Sequence, residues 1–284
     1  VNILVSSSGN ANRGDEAAVK AMVDELLIKY PGATITISNN GFTPYPGMPE
    51  NVIQIDRFPK LESRMAQLEF FIVLLFKGKF AFTKEARKFI RALKEADVVL
   101  HAPGGPSIGD TYFKAEKLYL WRLNLIRRMG IPYIFYAPSM GPFNCTSRNK
   151  LRKEVISGAE RIVLRDPISV KYVKDFLPGV EVEQALDSAL QHDIDIDKNE
   201  RKYNNYPELK NFIENHEKCI GITITDLKWH PVHKNEKIIE QIPTAFKAFI
   251  TQKVKEGYGV VFIPQLYGNL NDTCLLYTSP SPRD

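Results

Sequence analysis

Short apolar runs alternate with amphipathic segments along most of the chain. The runs predict β-strands over residues 3–6, 34–38, 52–55, 98–101, 133–137, 161–164 and 180–183. Apolar positions at helical spacing predict helices over residues 15–29, 83–95, 114–128, 147–157 and 169–176. Because strands that alternate with helices form βαβ units, we expect an α/β domain with a mostly parallel sheet over residues 1–191.

A polar and highly charged stretch over residues 192–206 interrupts this alternation, and it predicts a linker or a long surface loop. A second α/β pattern follows, with strands over residues 220–225 and 260–263. Between these strands we expect a helix over residues 236–256, interrupted at Pro243.

The end of the chain departs from this pattern. We expect residues 207–273 to be part of a second domain whose remainder follows Thr273 in the natural protein. Codons for residues 274–284 can match a sequencing-library adapter read in frame, so we expect this segment to be a non-native tail.

Composition excludes some classes of protein. Hydrophobic residues make up 44% and charged residues 25%, which is typical of a globular chain and not of a disordered or collagen-like one. The 38 basic and 33 acidic residues give a net charge of only +5, and basic residues do not cluster with aromatics, so nucleic-acid binding is not predicted. Cys145, Cys219 and Cys274 lie in no metal-binding spacing, which predicts a reducing, cytoplasmic location without a metal site.

Residues 70–76, from Phe70 to Phe76, form the apolar run FFIVLLF, followed by Lys77 and Lys79. The run is too short to span a bilayer. A buried core helix is the favoured interpretation. The alternative is an interfacial patch near a lipid-linked acceptor, which the basic flank would assist through peripheral membrane contact.

Candidate chemistry lies in the loops after the predicted strands, because parallel sheets bind ligands at the carboxyl ends of their strands. In the first loop, Gly9 and Gly14 let the backbone approach a ligand, and the following helix offers unpaired N–H groups. Asp15 lies in the first turn of that helix, which is also consistent with simple capping. The loop lacks the glycine fingerprint of nucleotide-binding proteins, so NAD-dependent oxidoreduction is not predicted.

Two further loops at successive strand ends predict a cleft, although each alone also fits a tight turn. Their candidate residues are Gly104, Gly105, Ser107 and Asp110 in the second loop and Ser139 and Gly141 in the third. His101 ends the strand before the second loop and could face the cleft, although a hydrogen-bonded core position is the default for such a histidine.

Arg165 follows a predicted strand and could make a two-pronged contact to a carboxylate or a phosphate. A structural ion pair with Asp166 is the alternative, and Asp166 can also cap the helix that Pro167 begins. Asp187 is expected to orient Arg165 or a substrate hydroxyl.

Taken in order, these loops resemble the polysaccharide pyruvyl transferase family. The matching pieces are NRGDEA at residues 12–17, PGGPSIGD at 103–110, SMGPF at 139–143, RDPIS at 165–169, DSAL at 187–190 and IPQ at 263–265. The resemblance implies two Rossmann-like α/β domains that face each other, as in GT-B glycosyltransferases, the second of them truncated here. It also implies transfer of pyruvate from phosphoenolpyruvate to a sugar of a cell-surface polysaccharide or exopolysaccharide, usually as a cyclic ketal, without a cofactor.

The resemblance assigns expected roles to particular residues. The catalytic candidates are Asp15, Arg165 and Asp110. The substrate-binding candidates are Gly9, Asn12, Gly14, Gly104, Gly105, Ser107, Ser139, Gly141, Ser169, Asp187 and Gln265. The chain departs from the family where Pro106 replaces a frequent third glycine, and where Gln265 lies near the position of an expected histidine. The acid or base is then expected beyond Thr273, or the chemistry differs.

Two other functions remain open. A nucleotide-sugar glycosyltransferase would share the two-domain architecture, because one fold hosts many chemistries. A non-catalytic sugar- or anion-binding domain would bind a ligand without turnover. The partners expected of the favoured function are phosphoenolpyruvate and a sugar or a lipid-linked oligosaccharide acceptor.

Overall fold

The computed structural model describes residues 1–9, 12–39, 44–59, 63–191, 194–224 and 237–266. Contacts divide the chain into two compact units, Val1–His192 (the first unit) and Asp193–Asp284 (the second unit).

The first unit alternates strands and helices, as the hydrophobic pattern predicts. Its strands are β1 (Asn2–Ser8), β2 (Thr34–Asn39), β3 (Val52–Asp56), β4 (Val98–His101), β5 (Gly104–Ile108), β6 (Tyr133–Tyr136), β7 (Pro138–Met140), β8 (Arg161–Leu164) and β9 (Glu183–Gln184). Its helices are α1 (Arg13–Lys29), α2 (Arg64–Leu75), α3 (Lys84–Glu95), α4 (Phe113–Met129), α5 (Asn149–Ser157) and α6 (Pro167–Phe176).

Seven of these strands form one sheet in the order β3-β2-β1-β4-β6-β8-β9, and every described pair in it is parallel. The strand order reverses direction between β1 and β4, so the loops that follow these two strands diverge to opposite sides. Such a switch point opens a crevice at the carboxyl edge of a sheet. The predicted α/β class with a parallel sheet is confirmed.

Side chains alternate between two cores on the two faces of the sheet. Leu4 and Val99 belong to a core that α2 to α6 cover, which includes Phe89 and Leu120. Ile3 belongs to the other core, which α1 covers. This alternation follows from the period of two along a strand.

Parts of the two glycine-containing loops are themselves short strands. β5 and β7 pair in parallel with Gly104 opposite Pro138 and Ile108 opposite Met140. The interpretation of these segments as simple turns is therefore incomplete, because their backbones bind each other beyond the edge of the main sheet.

Helix α2 corrects the favoured interpretation of residues 70–76. Phe70 and Val73 are buried, but Phe71 is 60% and Leu75 is 51% exposed. The run is a helix with one buried side and one apolar side in solvent, so a core helix accounts for only half of it.

The second unit contains α7 (Ile196–Asn204), α8 (Pro207–Glu214), β10 (Cys219–Ile222), α9 (Ile238–Lys255) and β11 (Gly259–Phe262). β10 and β11 pair in parallel, in agreement with the second α/β pattern. Helix α9 is continuous through Pro243, so the predicted interruption is wrong. A proline removes one N–H donor, and the remaining turns of this long helix stabilise it across that position.

Helix α7 lies within the stretch that was predicted to be a linker or loop. The Asp195 side chain accepts a hydrogen bond from the Lys198 N–H and caps the helix. Asp197 lies in its first turn and Arg201 in its last, which suits the helix dipole. Local capping and charge order thus form a helix that buries no residue.

Candidate functional site

The site lies at the switch point of the first unit and begins at the N-terminus of α1. The Asn12 side chain caps this helix by accepting a hydrogen bond of 2.7 Å from the Gly14 N–H. The role of Asn12 and Gly14 is therefore local, because they define where the helix starts. Glu16 is buried and pairs with Arg13 and Lys20 on the same helix. Of the two acidic residues in the first turn of α1, Asp15 and Glu16, only Asp15 is left to face the neighbouring loops.

Asp15 is a partly buried carboxylate, and no described residue donates a hydrogen bond to it. A Cβ atom at Gly104 would lie 3.0 Å from Asp15 Oδ1, and Gly104 has a φ of +142°. Strand β5 thus approaches the carboxylate more closely than another residue type would allow. Burial raises the pKa of Asp15 to about 6. The positive charge of Arg165 lowers this pKa, and the negative charge of Asp187 raises it.

Arg165 leaves the end of β8 and is held from two sides. Its Nη1 donates to Asp187 Oδ2 at 2.5 Å, and its Nε donates to Ser139 Oγ at 2.9 Å. Within the part of the chain that the structure describes, Nη2 has no hydrogen-bond partner. The two side chains of the ion pair are 26% and 34% exposed, so solvent reaches this pair. Asp187 orients Arg165, as the sequence predicts.

Asp166 fixes the loop beside Arg165 instead of pairing with it. It caps α6 by accepting from the Ser169 N–H at 2.7 Å, and it also accepts from the hydroxyls of Ser169 and Ser139. Burial alone would raise the pKa of Asp166, but these hydrogen bonds and the Arg165 charge hold it below its ordinary value. The buried Ser169 in turn accepts from the Met140 N–H. Ser169 therefore has a structural role, and Ser139 connects Arg165 to Asp166.

Tyr112 is a site residue that the sequence analysis missed. Its Cε2 lies 3.6 Å from where a Cβ atom of Gly105 would be. Burial raises the pKa of Tyr112, the Asp15 charge raises it further, and the Arg165 charge lowers it. A signal was present, since an aromatic residue at the start of α4 follows the glycine loop directly. The ring of Tyr112 thus lies close to Gly105, and its hydroxyl is subject to the charges of Asp15 and Arg165.

Asp110 belongs to a separate structural cluster. Its Oδ1 accepts from Arg152 Nη2 at 2.7 Å, and its Oδ2 accepts from the backbone N–H groups of Asn144 and Cys145. The fully buried Arg152 also pairs with the fully buried Glu116 at 2.7 Å. Both oxygens of Asp110 are therefore engaged in fixing a loop. This placement speaks against the predicted catalytic role of Asp110.

The other predicted residues fall into different environments. Gly141 has a φ of +88°, and a Cβ there would lie 2.6 Å from Tyr172, so this glycine serves packing. The Gly9 carbonyl accepts a hydrogen bond of 2.8 Å from the Tyr45 hydroxyl. Gln265 is exposed after β11 in the second unit. Ser107 contacts His101 at the carboxyl end of β4.

A sequence model of the polysaccharide pyruvyl transferase family matches residues 12–277. The chain belongs to the polysaccharide pyruvyl transferase family. For this pyruvyl transferase family member, the match continues past residue 273 into the segment predicted to be a non-native tail, which lies outside the described residues.

Among the solved structures that match, one gives a distant likeness that carries no functional argument. The crystal structure of a putative UDP-N-acetylglucosamine 2-epimerase from Listeria monocytogenes aligns with 12% identity and a TM-score of 0.49. The alignment covers 95% of this chain and 63% of the length of the epimerase chain. No curated protein matches the chain.

Two properties of the described residues bear on possible partners. No described helix is both long and apolar enough to cross a membrane. Within the described ranges, no group of three or more His, Cys, Asp or Glu side chains is arranged to hold a metal ion.

Proposed function

We propose that this pyruvyl transferase family member transfers pyruvate from phosphoenolpyruvate to a sugar of a cell-surface polysaccharide or exopolysaccharide. The observation that carries the proposal is the arrangement of Asp15 and Arg165. The Asp15 carboxylate has a pKa of about 6, and no described residue donates a hydrogen bond to it. The positive charge of the Arg165 guanidinium, which Asp187 holds in place, acts on this carboxylate. This arrangement combines an anion-binding group with a group that can exchange a proton near neutral pH.

Phosphoenolpyruvate carries a phosphate and a carboxylate, and the site offers groups for both. Arg165 has one guanidinium nitrogen without a described partner, which is suited to a carboxylate or phosphate oxygen. The N-terminus of α1 lies beside Asp15 and favours a second anionic group.

Asp15 is the proton acceptor in this proposal. A sugar hydroxyl oxygen forms a bond to C2 of phosphoenolpyruvate, its proton passes to Asp15, and a proton from a general acid is added to C3. A second hydroxyl of the sugar then bonds to C2 as the C2–O bond to phosphate breaks, and its proton leaves with inorganic phosphate. The products are the cyclic ketal and phosphate. A carboxylate with a pKa of about 6 can accept the first proton at neutral pH without being fully protonated beforehand.

The experiment is phosphate release from phosphoenolpyruvate in the presence of a panel of sugar acceptors. Arg165→Ala is expected to lower the rate by at least about a hundredfold, because one charge-assisted anchor of the donor is lost. Arg161→Ala is the matched control, since Arg161 lies on the same strand in an exposed pair with Glu183. An Arg165→Ala protein that releases phosphate at the unchanged rate would contradict the proposal.

The same assay separates the alternatives. A nucleotide-sugar glycosyltransferase would consume a nucleotide sugar and ignore phosphoenolpyruvate. A non-catalytic binding domain would bind phosphoenolpyruvate, as calorimetry would show, without releasing phosphate from it.

We propose in addition that an apolar face around α2 lies on an anionic membrane surface, where a lipid-linked acceptor would be found. The exposed residues of this α2 apolar face are Met65, Leu68, Phe71, Leu75, Phe76, Phe80 and Phe82. Its orientation is fixed because buried Glu69 accepts hydrogen bonds from the Phe82 and Thr83 N–H groups at the start of α3. Contiguous exposed apolar side chains of this kind mark interaction surfaces.

Charge complementarity selects an anionic bilayer as the partner of the α2 apolar face. Arg64, Lys77, Lys79 and Lys84 are exposed around it, and the only acidic residue among residues 63–84 is the buried Glu69. Apolar insertion flanked by basic side chains is the pattern of helices that lie in the membrane interface.

Co-sedimentation with vesicles tests this contact. The protein should bind vesicles that contain phosphatidylglycerol, and Phe71→Ser with Leu75→Ser should weaken binding at least fivefold. Ile28→Ser is the control, because Ile28 is 73% exposed on α1 and lies outside the face. Unchanged vesicle binding by the double variant, or dimerisation that depends on the same two residues, would overturn the membrane assignment.

A further inference from the structure

His101 at the end of β4 is a buried histidine with one used and one unused nitrogen. The residue is 1% exposed, and its Nε2 lies 2.7 Å from Ser107 Oγ. Its Nδ1 is buried and has no hydrogen-bond partner. The rings of Tyr119 and Phe135 pack edge-on against the imidazole at centroid distances of 6.2 and 5.3 Å, so its orientation is fixed.

The contacts of the ring decide which nitrogen carries the proton. Burial and, to a smaller extent, the Arg122 charge lower the pKa of His101 to about 3, so the ring is neutral and has one N–H and one lone pair. A proton on Nδ1 would leave a buried donor unpaired, and orphaned donors are rarer in proteins than unpaired acceptors. We therefore assign the proton to Nε2, which donates to Ser107 Oγ.

This tautomer leaves the Ser107 hydroxyl proton unused within the described part of the chain. Ser107 is partly exposed, whereas His101 behind it is not. A hydroxyl that accepts one hydrogen bond becomes a better donor for the next. The Ser107 proton is therefore directed away from the core and available to a ligand.

Strand β5, which carries Ser107, pairs with β7, the strand whose Ser139 contacts Arg165. Ser107 on β5 precedes Ile108, and Ser139 on β7 precedes Met140, which is the paired partner of Ile108. The two serines therefore lie on neighbouring strands, each one residue before the pair Ile108–Met140, and the register is irregular between Gly104 and Ile108. Ser139 in turn accepts the hydrogen bond from Arg165 Nε.

We propose that His101 is a positioning residue, which holds the Ser107 hydroxyl as a hydrogen-bond donor to an anionic group of the bound donor substrate. The identity of that substrate, phosphoenolpyruvate, rests on the proposed function. The anionic group is the phosphate or the carboxylate, and either would be shared between Ser107 and Arg165.

The test is binding of phosphoenolpyruvate, inorganic phosphate and pyruvate to the full chain, measured by calorimetry. Ser107→Ala and His101→Leu should each weaken binding of phosphoenolpyruvate about tenfold, because each removes the same charge-assisted hydrogen bond. The double variant should be no weaker than either single one. His101→Gln should largely restore binding, since its amide can donate to Ser107. Ser157→Ala, which removes a serine hydroxyl from the exposed end of α5, is the control.

The outcomes distinguish this inference from the proposed function. If the chain binds phosphoenolpyruvate and neither single variant weakens it, or if the two losses add, the positioning role is wrong while the proposed function stands. If inorganic phosphate binds and its binding depends on Ser107, while phosphoenolpyruvate does not bind at all, the positioning role stands and the proposed donor is wrong. If none of the three anions binds, both are overturned. If His101 has only a structural role, His101→Leu and His101→Gln will both have a lower melting temperature than the wild type. His101→Gln will then not recover the binding of phosphoenolpyruvate.

Discussion

Asp15→Asn removes the charge from the site and keeps the shape of the side chain. Burial raises the pKa of Asp15 from 3.8 to about 6, so the folded protein holds the proton more tightly than the unfolded chain does. A raised pKa of this kind contributes stability that is fully present below about pH 4 and is lost as the pH rises through 6. At pH 8 the wild-type protein therefore carries a buried charge that asparagine does not.

The magnitude follows from the difference in pKa. About two pKa units at 1.36 kcal/mol each give about 3 kcal/mol, which is an upper value because Asp15 is partly exposed. We expect Asp15→Asn to raise the free energy of unfolding by about 1–3 kcal/mol at pH 8, and by clearly less at pH 5. Phosphate release should nevertheless fall by about a hundredfold or more, because the proton acceptor is lost.

Urea unfolding followed by circular dichroism at pH 5 and pH 8 measures this effect. Asp56→Asn is the matched control, because Asp56 is an exposed aspartate at the end of β3 in the same unit. The reasoning is refuted if Asp15→Asn is less stable than the wild type at pH 8, or if its advantage is the same at both pH values.

Three other variants test separate parts of the first unit. Arg165→Lys keeps the charge but cannot contact Asp187 and Ser139 together, so phosphate release should fall at least tenfold, and an unchanged rate would show that charge alone suffices. Glu116→Gln removes the negative charge that pairs with the buried Arg152, so the free energy of unfolding in urea should fall by about 3–5 kcal/mol. A fall below about 1 kcal/mol would contradict the structural role of this ion pair. Gly104→Ala places a Cβ atom 3.0 Å from Asp15 Oδ1 at a φ of +142°. It should lower the free energy of unfolding by about 1–3 kcal/mol and also lower the rate of phosphate release. Gly105→Ala is the matched control, because its Cβ atom would lie 3.6 Å from Tyr112 Cε2, an ordinary contact distance. Equal losses of stability in the two variants would refute the close-approach argument.

The elements that the sequence predicts well are those whose burial repeats with a clear period. Strands β4 and β8 have the predicted bounds, since an apolar run of about four residues is too short for a helix and fits a buried strand. Helix α7 was missed, because its stability comes from Asp195 capping and charge order and not from an apolar side. The run at residues 70–76 is apolar throughout, so periodicity could not show which side α2 buries; the contact of Glu69 with the start of α3 determines it.

The sequence identifies the loops that form the site, but it does not identify the role of each residue in them. Asp15 and Asp110 are both acidic residues close to glycines at strand ends, so the sequence offers no reason to separate them. The separation depends on Arg152, which reaches Asp110 across 42 positions of the chain. The role of Tyr112 likewise depends on where α4 begins relative to Gly105.

The contrast between the two aspartates is the reason why we propose Asp15 and not Asp110 as the proton acceptor. The Asp110 oxygens are engaged by Arg152 and by two backbone N–H groups, so loss of its charge would release a loop and leave a buried guanidinium short of a partner. The Asp15 carboxylate has no described donor, and gain of a proton there relieves a burial cost without breaking a contact. An acid–base group must change its charge in every turnover while the fold stays intact. Of the two, only Asp15 meets that condition, and the charge of Arg165 beside it keeps the ionised form accessible near neutral pH.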